Sequence, residues 1–102
     1  MDLGPPGHIL HADMASLTTA QAFGVILREL REGANITQEK LALMAELDRT
    51  FVGDLEKGEK QPSLNTIFQL ALALNIMPGV MVDKAALLKF PVLNRDNRLG
   101  GA

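Results

Sequence analysis

Two short helical stretches with almost nothing between them constrain this chain more than any other feature. Residues 38–45 carry Leu41, Ala42 and Ala45 on one face, and residues 49–57 carry Val52 and Leu55 in the same way. Thr37 stands immediately before the first stretch and Asp48 immediately before the second. Both are N-cap residue types, whose side-chain oxygen accepts from a free amide of the first helical turn. The Asp48 charge also suits the positive end of a helix. Only Glu46 and Leu47 remain as a break. Helices this short, joined this tightly, cannot lie antiparallel over a long contact. They cross steeply, bury a small shared face and leave the second one projecting. Leu41, Ala45, Val52 and Leu55 supply that face, and Ala42 is small, as a close crossing requires.

The flanks supply a body for this pair. From Thr19 onward, Phe23, Leu27 and Leu30 recur at helical spacing, with Arg28, Glu29, Arg31 and Glu32 between them. Gly33 and Asn35 stop that helix. Gly58 fits the C-terminal cap of the helix over residues 49–57. After a polar loop over residues 59–62, Ser63 caps a fourth helix predicted to bury Leu64, Ile67, Leu70, Ala71 and Leu74, and Asn75 ends it. Pro78 suits the first turn of a fifth helix, which runs to about Lys89 and is closed by Pro91. No strand pattern of useful length and no internal repeat appears. The predicted fold is therefore all-α with five helices. Residues 1–17 read as a flexible arm, residues 18–90 as the domain and residues 91–102 as a polar tail.

Composition narrows the function. The 102 residues suffice for one modest core, and 47% hydrophobic with 22% charged residues is a globular balance. The absence of cysteine excludes disulfides and thiolate metal sites. The apolar runs are too short to span a membrane. The first seven residues show no basic segment followed by an apolar one, so no signal peptide is expected and the chain reads as cytoplasmic. His8 and His11 stand in a Pro/Gly-containing arm with no matching third ligand, so no metal and no cofactor is expected. With no Cys, no His-based dyad and no phosphate-cradling Gly loop, the chain does not read as an enzyme. The net charge of −2 and a pI near 5.6 count against a nucleic-acid binder, because neutralised phosphates supply most non-specific affinity. What decides is where Lys and Arg lie on the folded surface.

The motif itself resembles a known family. Phe23-Gly24-Val25-Ile26-Leu27-Arg28-Glu29-Leu30-Arg31, followed by Ile36-Thr37-Gln38-Glu39-Lys40-Leu41-Ala42, is similar to the opening of lambda-repressor/Cro-like (XRE-type) helix-turn-helix domains. The run from Leu47 through Asp48-Arg49-Thr50-Phe51-Val52-Gly53-Asp54-Leu55-Glu56-Lys57-Gly58 to Leu64 resembles the recognition helix and loop that follow, especially those of restriction–modification controller-type small regulators. Leu70-Ala71-Leu72-Ala73-Leu74 matches the fourth-helix signature, and the resemblance covers residues 19–82. It implies a five-helix lambda-repressor-like domain and a sequence-specific regulator of transcription that binds double-stranded DNA as a homodimer on a palindromic operator.

The resemblance also implies roles for residues. Gln38 would touch a phosphate and brace the recognition helix. Arg49 and Thr50 would read base edges from the first turn of that helix, with Asp54 on the same face. Lys57, Lys60 and Gln61 match a backbone-contacting loop. Arg31 and Glu56 match a buried ion pair between the first and third helices. The bland reading makes Arg49, Lys57 and Lys60 ordinary surface cations. For Asp54 a helix-surface role is favoured over accepting from a cytosine amino group, since nearby phosphates repel a carboxylate. Two departures from the family pattern stand out. Glu46 occupies a turn position that usually holds Gly and often has positive φ, so a somewhat different turn is expected. Gly53 lies inside the recognition helix, where glycine weakens a helix. It either permits close approach to DNA or is simply tolerated.

Ile26, Leu43, Met44, Phe68, Leu72, Met81, Leu87, Leu88 and Phe90 exceed what a five-helix core needs. The surplus in the fifth helix and its flank predicts a dimer interface at Val80, Met81, Leu87, Leu88 and Phe90. Two other functions fit the same residues: an antitoxin that also neutralises a toxin protein, and a protein-interaction adaptor that has lost DNA binding.

Overall fold

The computed structural model describes residues 16–90. His8, His11 and the tail from Pro91 onward lie outside the described residues. Five helices and, among the described residues, no strand make up the fold: α1 (Thr19–Gly33), α2 (Gln38–Ala45), α3 (Arg49–Glu56), α4 (Leu64–Leu74) and α5 (Pro78–Lys89). The all-α, five-helix expectation agrees with this.

Each helix begins where local chemistry permits it. Thr37 Oγ1 accepts from the Lys40 amide at 3.0 Å, a carboxylate oxygen of Asp48 from the Thr50 amide at 3.0 Å, and Ser63 Oγ from the Thr66 amide at 3.0 Å. α1 has a reciprocal cap that the sequence reading missed. Thr18 accepts from the Gln21 amide, while the Gln21 side chain accepts from the Thr18 amide. α5 has no side-chain cap, and Pro78 at its start simply lacks one of the amides that would need a partner.

Four helices end alike. Asn35, Glu46, Gly58 and Asn75 take left-handed φ values of 62°, 60°, 74° and 58°. The next residue's amide then reaches back to a carbonyl of the last turn: Ile36 to Arg31, Leu47 to Ala42, Glu59 to Asp54 and Ile76 to Ala71. Glu46 therefore does not reshape the turn, as its side chain led us to expect. It adopts the glycine-like conformation and carries the strain. The C-terminus of α2 is further satisfied by Gln69 of α4, whose amide nitrogen donates to the Ala45 carbonyl at 3.1 Å.

The core draws on every helix. Phe23, Ile26 and Leu27 of α1 pack with Leu41 and Ala45 of α2, Val52 and Leu55 of α3, Leu70 and Ala71 of α4, and Met81 and Ala85 of α5. Four expectations change here. Leu64 is not buried but 65% exposed, because α4 turns Leu70, Ala71 and the hydroxyl-bonded Thr66 inward instead. Ile26 is core, not surplus. Met81 is fully buried within this chain, so it cannot serve the predicted dimer interface. Leu17, assigned to the arm, packs against the core, and its carbonyl accepts from Lys89 Nζ at 2.7 Å.

α1 and α3 meet backbone to side at Gly24. A Cβ there would stand 2.6 Å from the Glu56 carbonyl oxygen and also collide with that of Leu55. Only glycine lets α3 lie this close to α1.

The strained turn gives a direct test. A left-handed residue with a Cβ costs about 1 kcal/mol or more relative to glycine. Glu46→Gly is expected to raise the melting temperature by roughly 4–8 °C in a domain of this size. An unchanged or lower value in calorimetry contradicts strain at Glu46.

Candidate nucleic-acid interface

α3 is anchored on one side and largely open on the other. Val52 and Leu55 are fully buried, and Phe51 packs against the core beside them. At about 100° per residue, Arg49, Thr50, Gly53, Asp54 and Lys57 share the opposite face. Of these, Arg49, Thr50 and Lys57 are exposed, while Gly53 and Asp54 are half-buried. Arg49 and Thr50 form the first turn, immediately after the Asp48 cap. Lys60 and Gln61, in the loop after α3, are also exposed.

The rotation of α3 is fixed by a buried polar cluster. Arg31 Nε donates to Glu56 Oε2 at 2.6 Å, and a terminal guanidinium nitrogen of Arg31 donates to Oε1 at 3.1 Å. This is a two-point pair of the kind that arginine's planar fork makes. Its side chains are only 11% and 4% exposed. The other terminal nitrogen donates to the Ile36 carbonyl at 2.9 Å, and Gln38 Nε2 donates to Glu56 Oε1 at 3.0 Å. The Glu56 hydrogen bond holds the Arg31 guanidinium above its ordinary pKa range. It outweighs the desolvation that opposes charge, with further Coulombic help from Glu56 and Glu32. α1, the start of α2 and the end of α3 thus share one satisfied network.

The remaining candidates differ in setting. Asp54, considered above as a possible acceptor for cytosine, is turned toward the loop, where Lys60 Nζ lies 3.6 Å from its carboxylate and only 18% of the side chain is exposed. Lys60 keeps most of its side chain in solvent. On α5 and at its end, Val80, Leu87 and Phe90 are exposed and Leu88 is half-buried against the core. The sequence reading missed Gly24 and Gln69 as positioning residues. Both act through backbone contacts distant in sequence, which periodicity does not register. No group of three or more His, Asp or Glu among the described residues is placed to hold a metal ion.

A projecting, first-turn-exposed α3, held across the chain by a short left-handed turn from α2, defines a helix-turn-helix module of the DNA-binding kind. Comparison with known proteins agrees. The family described as helix-turn-helix matches residues 27–78. The control protein C.BamHI of Bacillus amyloliquefaciens is 37% identical over 62 residues, spanning 60% of this chain and 76% of the relative. The control protein C.SmaI of Serratia marcescens is 34% identical over 64 residues, spanning 63% and 76%. The crystal structure of the restriction-modification controller protein C.AhdI from Aeromonas hydrophila superposes with a TM-score of 0.60 at 44% identity, over 61% of this chain and 94% of that one. The chain belongs to the helix-turn-helix family of the XRE/Cro type, whose members are DNA-binding regulators of transcription.

Removing one partner of a buried ion pair strands the other, at a cost of about 3–5 kcal/mol. Glu56→Ala should therefore lower the melting temperature by roughly 10 °C or more. Arg28→Ala breaks only the exposed Arg28–Glu32 pair on α1 and should cost at most about 0.5 kcal/mol. Equal effects of the two substitutions in thermal melts contradict the anchoring role of Glu56.

Proposed function

We propose that this protein is a sequence-specific regulator of transcription that binds a palindromic operator on double-stranded DNA as a homodimer, acting in the cytoplasm without a catalytic role. One observation carries the reading. α3 exposes Arg49 and Thr50 in its first turn while its rotation is fixed at its far end by Glu56. In this reading Arg49 offers its donor fork to the two major-groove acceptors of a guanine, and Thr50 contacts the neighbouring base. Lys57, Lys60 and Gln61 contact the phosphate backbone. Gln38 braces α3 through Glu56 and meets a phosphate beside it. Asp54 tethers Lys60 instead of reading a base.

The homodimer is supported by apolar surface that the single chain leaves open. Val80 and Leu87 of α5 and Phe90 just after it are exposed, with Leu88 behind them. Leu64, Phe68 and Leu72 form an exposed stripe at four-residue spacing on α4, and Leu72 is 83% exposed. Patches of this kind mark association surfaces. The proposed interface is thus the outer side of α5 joined by α4, without Met81. No single helix among the described residues is long and apolar enough to cross a membrane. α4 and α5 are together apolar, but they are bent by 109° at the joint between them.

Competition binding on cognate and scrambled duplexes at two salt concentrations tests the reading. Arg49→Ala is expected to lose roughly 1–3 kcal/mol of discrimination, relaxing preference at one position of each half-site. Lys60→Ala should weaken both duplexes nearly alike and flatten the salt dependence. If Arg49→Ala weakens both equally, Arg49 is a phosphate anchor. If the wild type shows no preference for any sequence, the regulator reading gives way to that of an interaction adaptor.

The dimer is tested separately by sedimentation. Wild type is expected to sediment as a dimer at micromolar concentration, and Leu72→Glu with Leu87→Glu as a folded monomer. A wild-type monomer both with and without operator DNA contradicts the homodimer.

A further inference from the structure

Gly53 is the one described glycine in a helix interior that the fold does not require. Gly24 is demanded by the backbone of α3 lying against it, and Gly58 by its left-handed φ and by Gln21 close beside it. Gly33 and Gly79 lie at helix ends, in open space. Gly53 stands in the body of an eight-residue helix, and its φ is not among the positive ones. A Cβ built there meets only the side-chain oxygen of Gln38, at 3.7 Å, an ordinary contact. Alanine would fit, and it would strengthen the helix, because glycine loses more backbone freedom on folding than any other residue.

Its position says what the missing side chain is for. Gly53 lies, half-buried, on the face of α3 turned away from the core, flanked by the exposed Arg49 and Thr50 one turn before and Lys57 one turn after. Around it stand the side chains assigned to DNA, and at the centre the backbone carries no side chain of its own and is half-buried beside Gln38. A helix entering the major groove seats as deeply as its central residue allows, and a methyl group there holds the whole axis off the base pairs. Glycine in a helix commonly marks a place where another body approaches the backbone closely.

We propose that Gly53 is the point where the α3 backbone rests on base edges at the floor of the major groove, so that its missing Cβ sets how far Arg49 and Thr50 reach. The inference rests on the reading of α3 as the DNA-facing helix. It adds a specificity-determining residue that makes its contribution by having no side chain, and it implies that stability is given up at this position in favour of binding.

The test is Gly53→Ala in the full chain, with melting temperature and affinity measured together. The probes are the duplex that wild type selects from a random pool and a scrambled duplex of the same composition. The variant is expected to melt higher, by up to roughly 4–8 °C. Its affinity for the selected duplex should fall roughly tenfold, with little change on scrambled DNA. Unchanged affinity for the selected duplex overturns the proposal and leaves Gly53 a tolerated surface glycine. A lower melting temperature also overturns it, since the glycine is then structural. An equal loss on both duplexes replaces base-edge contact by phosphate contact. The wild-type measurement separates these outcomes from failure of the underlying reading, in which wild type selects no duplex at all.

Discussion

A helix of eight residues has little surface with which to hold its own orientation, and α3 buries only Val52 and Leu55 completely. Apolar contact of that extent fixes a position but tolerates rotation about the helix axis. The pair between Arg31 and Glu56 removes that freedom, because its two hydrogen bonds are directional and both side chains are buried. Gln38 adds a third hydrogen bond to Glu56 and brings α2 into the same network. A buried ion pair is a weak source of net stability, since desolvation consumes much of the Coulombic gain. Its contribution here is to orientation. The face of α3 turned away from the core, which Glu56 borders, is thereby presented in one direction, and the roles proposed for Arg49, Thr50 and Gly53 depend on that.

The same logic explains how an acidic chain is compatible with a DNA target. The net charge is −2, but the sum hides an arrangement in which Arg31 is buried against Glu56, Arg28 is paired with Glu32, and Arg49, Lys57 and Lys60 lie on or beside one face. Asp54, the carboxylate on that face, is turned toward Lys60. Affinity of such a surface rests on a few placed contacts more than on a broad positive field, which implies a modest salt slope.

Much of the fold was legible because its signals are local. Thr37, Asp48 and Ser63 cap helices within two or three residues of themselves, and Asn75 and Pro78 mark the joint between α4 and α5 in the same way. The faces of α4 and α5 were harder. α4 carries apolar residues nearly all round, so periodicity placed Leu70 and Ala71 inward and left Phe68 and Leu72 as surplus, but it wrongly added Leu64 to the buried side. Met81 was misplaced on α5 for the same reason, with Val80 and Val82 on either side of it. The Arg31–Glu56 pair came from family resemblance alone, because nothing in the chain links residues 25 positions apart. Gly24 and Gly53 look identical in sequence, each a glycine inside a helix. The structure separates them by what a Cβ would meet: carbonyl oxygens at Gly24, and one side-chain oxygen at ordinary distance at Gly53.

The central claim is that a fixed α3 face, presented twice by a two-fold dimer, reads DNA sequence. Selection of duplexes by this chain from a random pool tests it most directly. The account predicts an enriched inverted repeat whose half-sites lie about 10 base pairs apart, centre to centre, matching one helical turn of DNA. It also predicts a guanine at an invariant position of each half-site. A pool that stays random after repeated rounds, or one that converges on a single unrepeated site, would contradict the account.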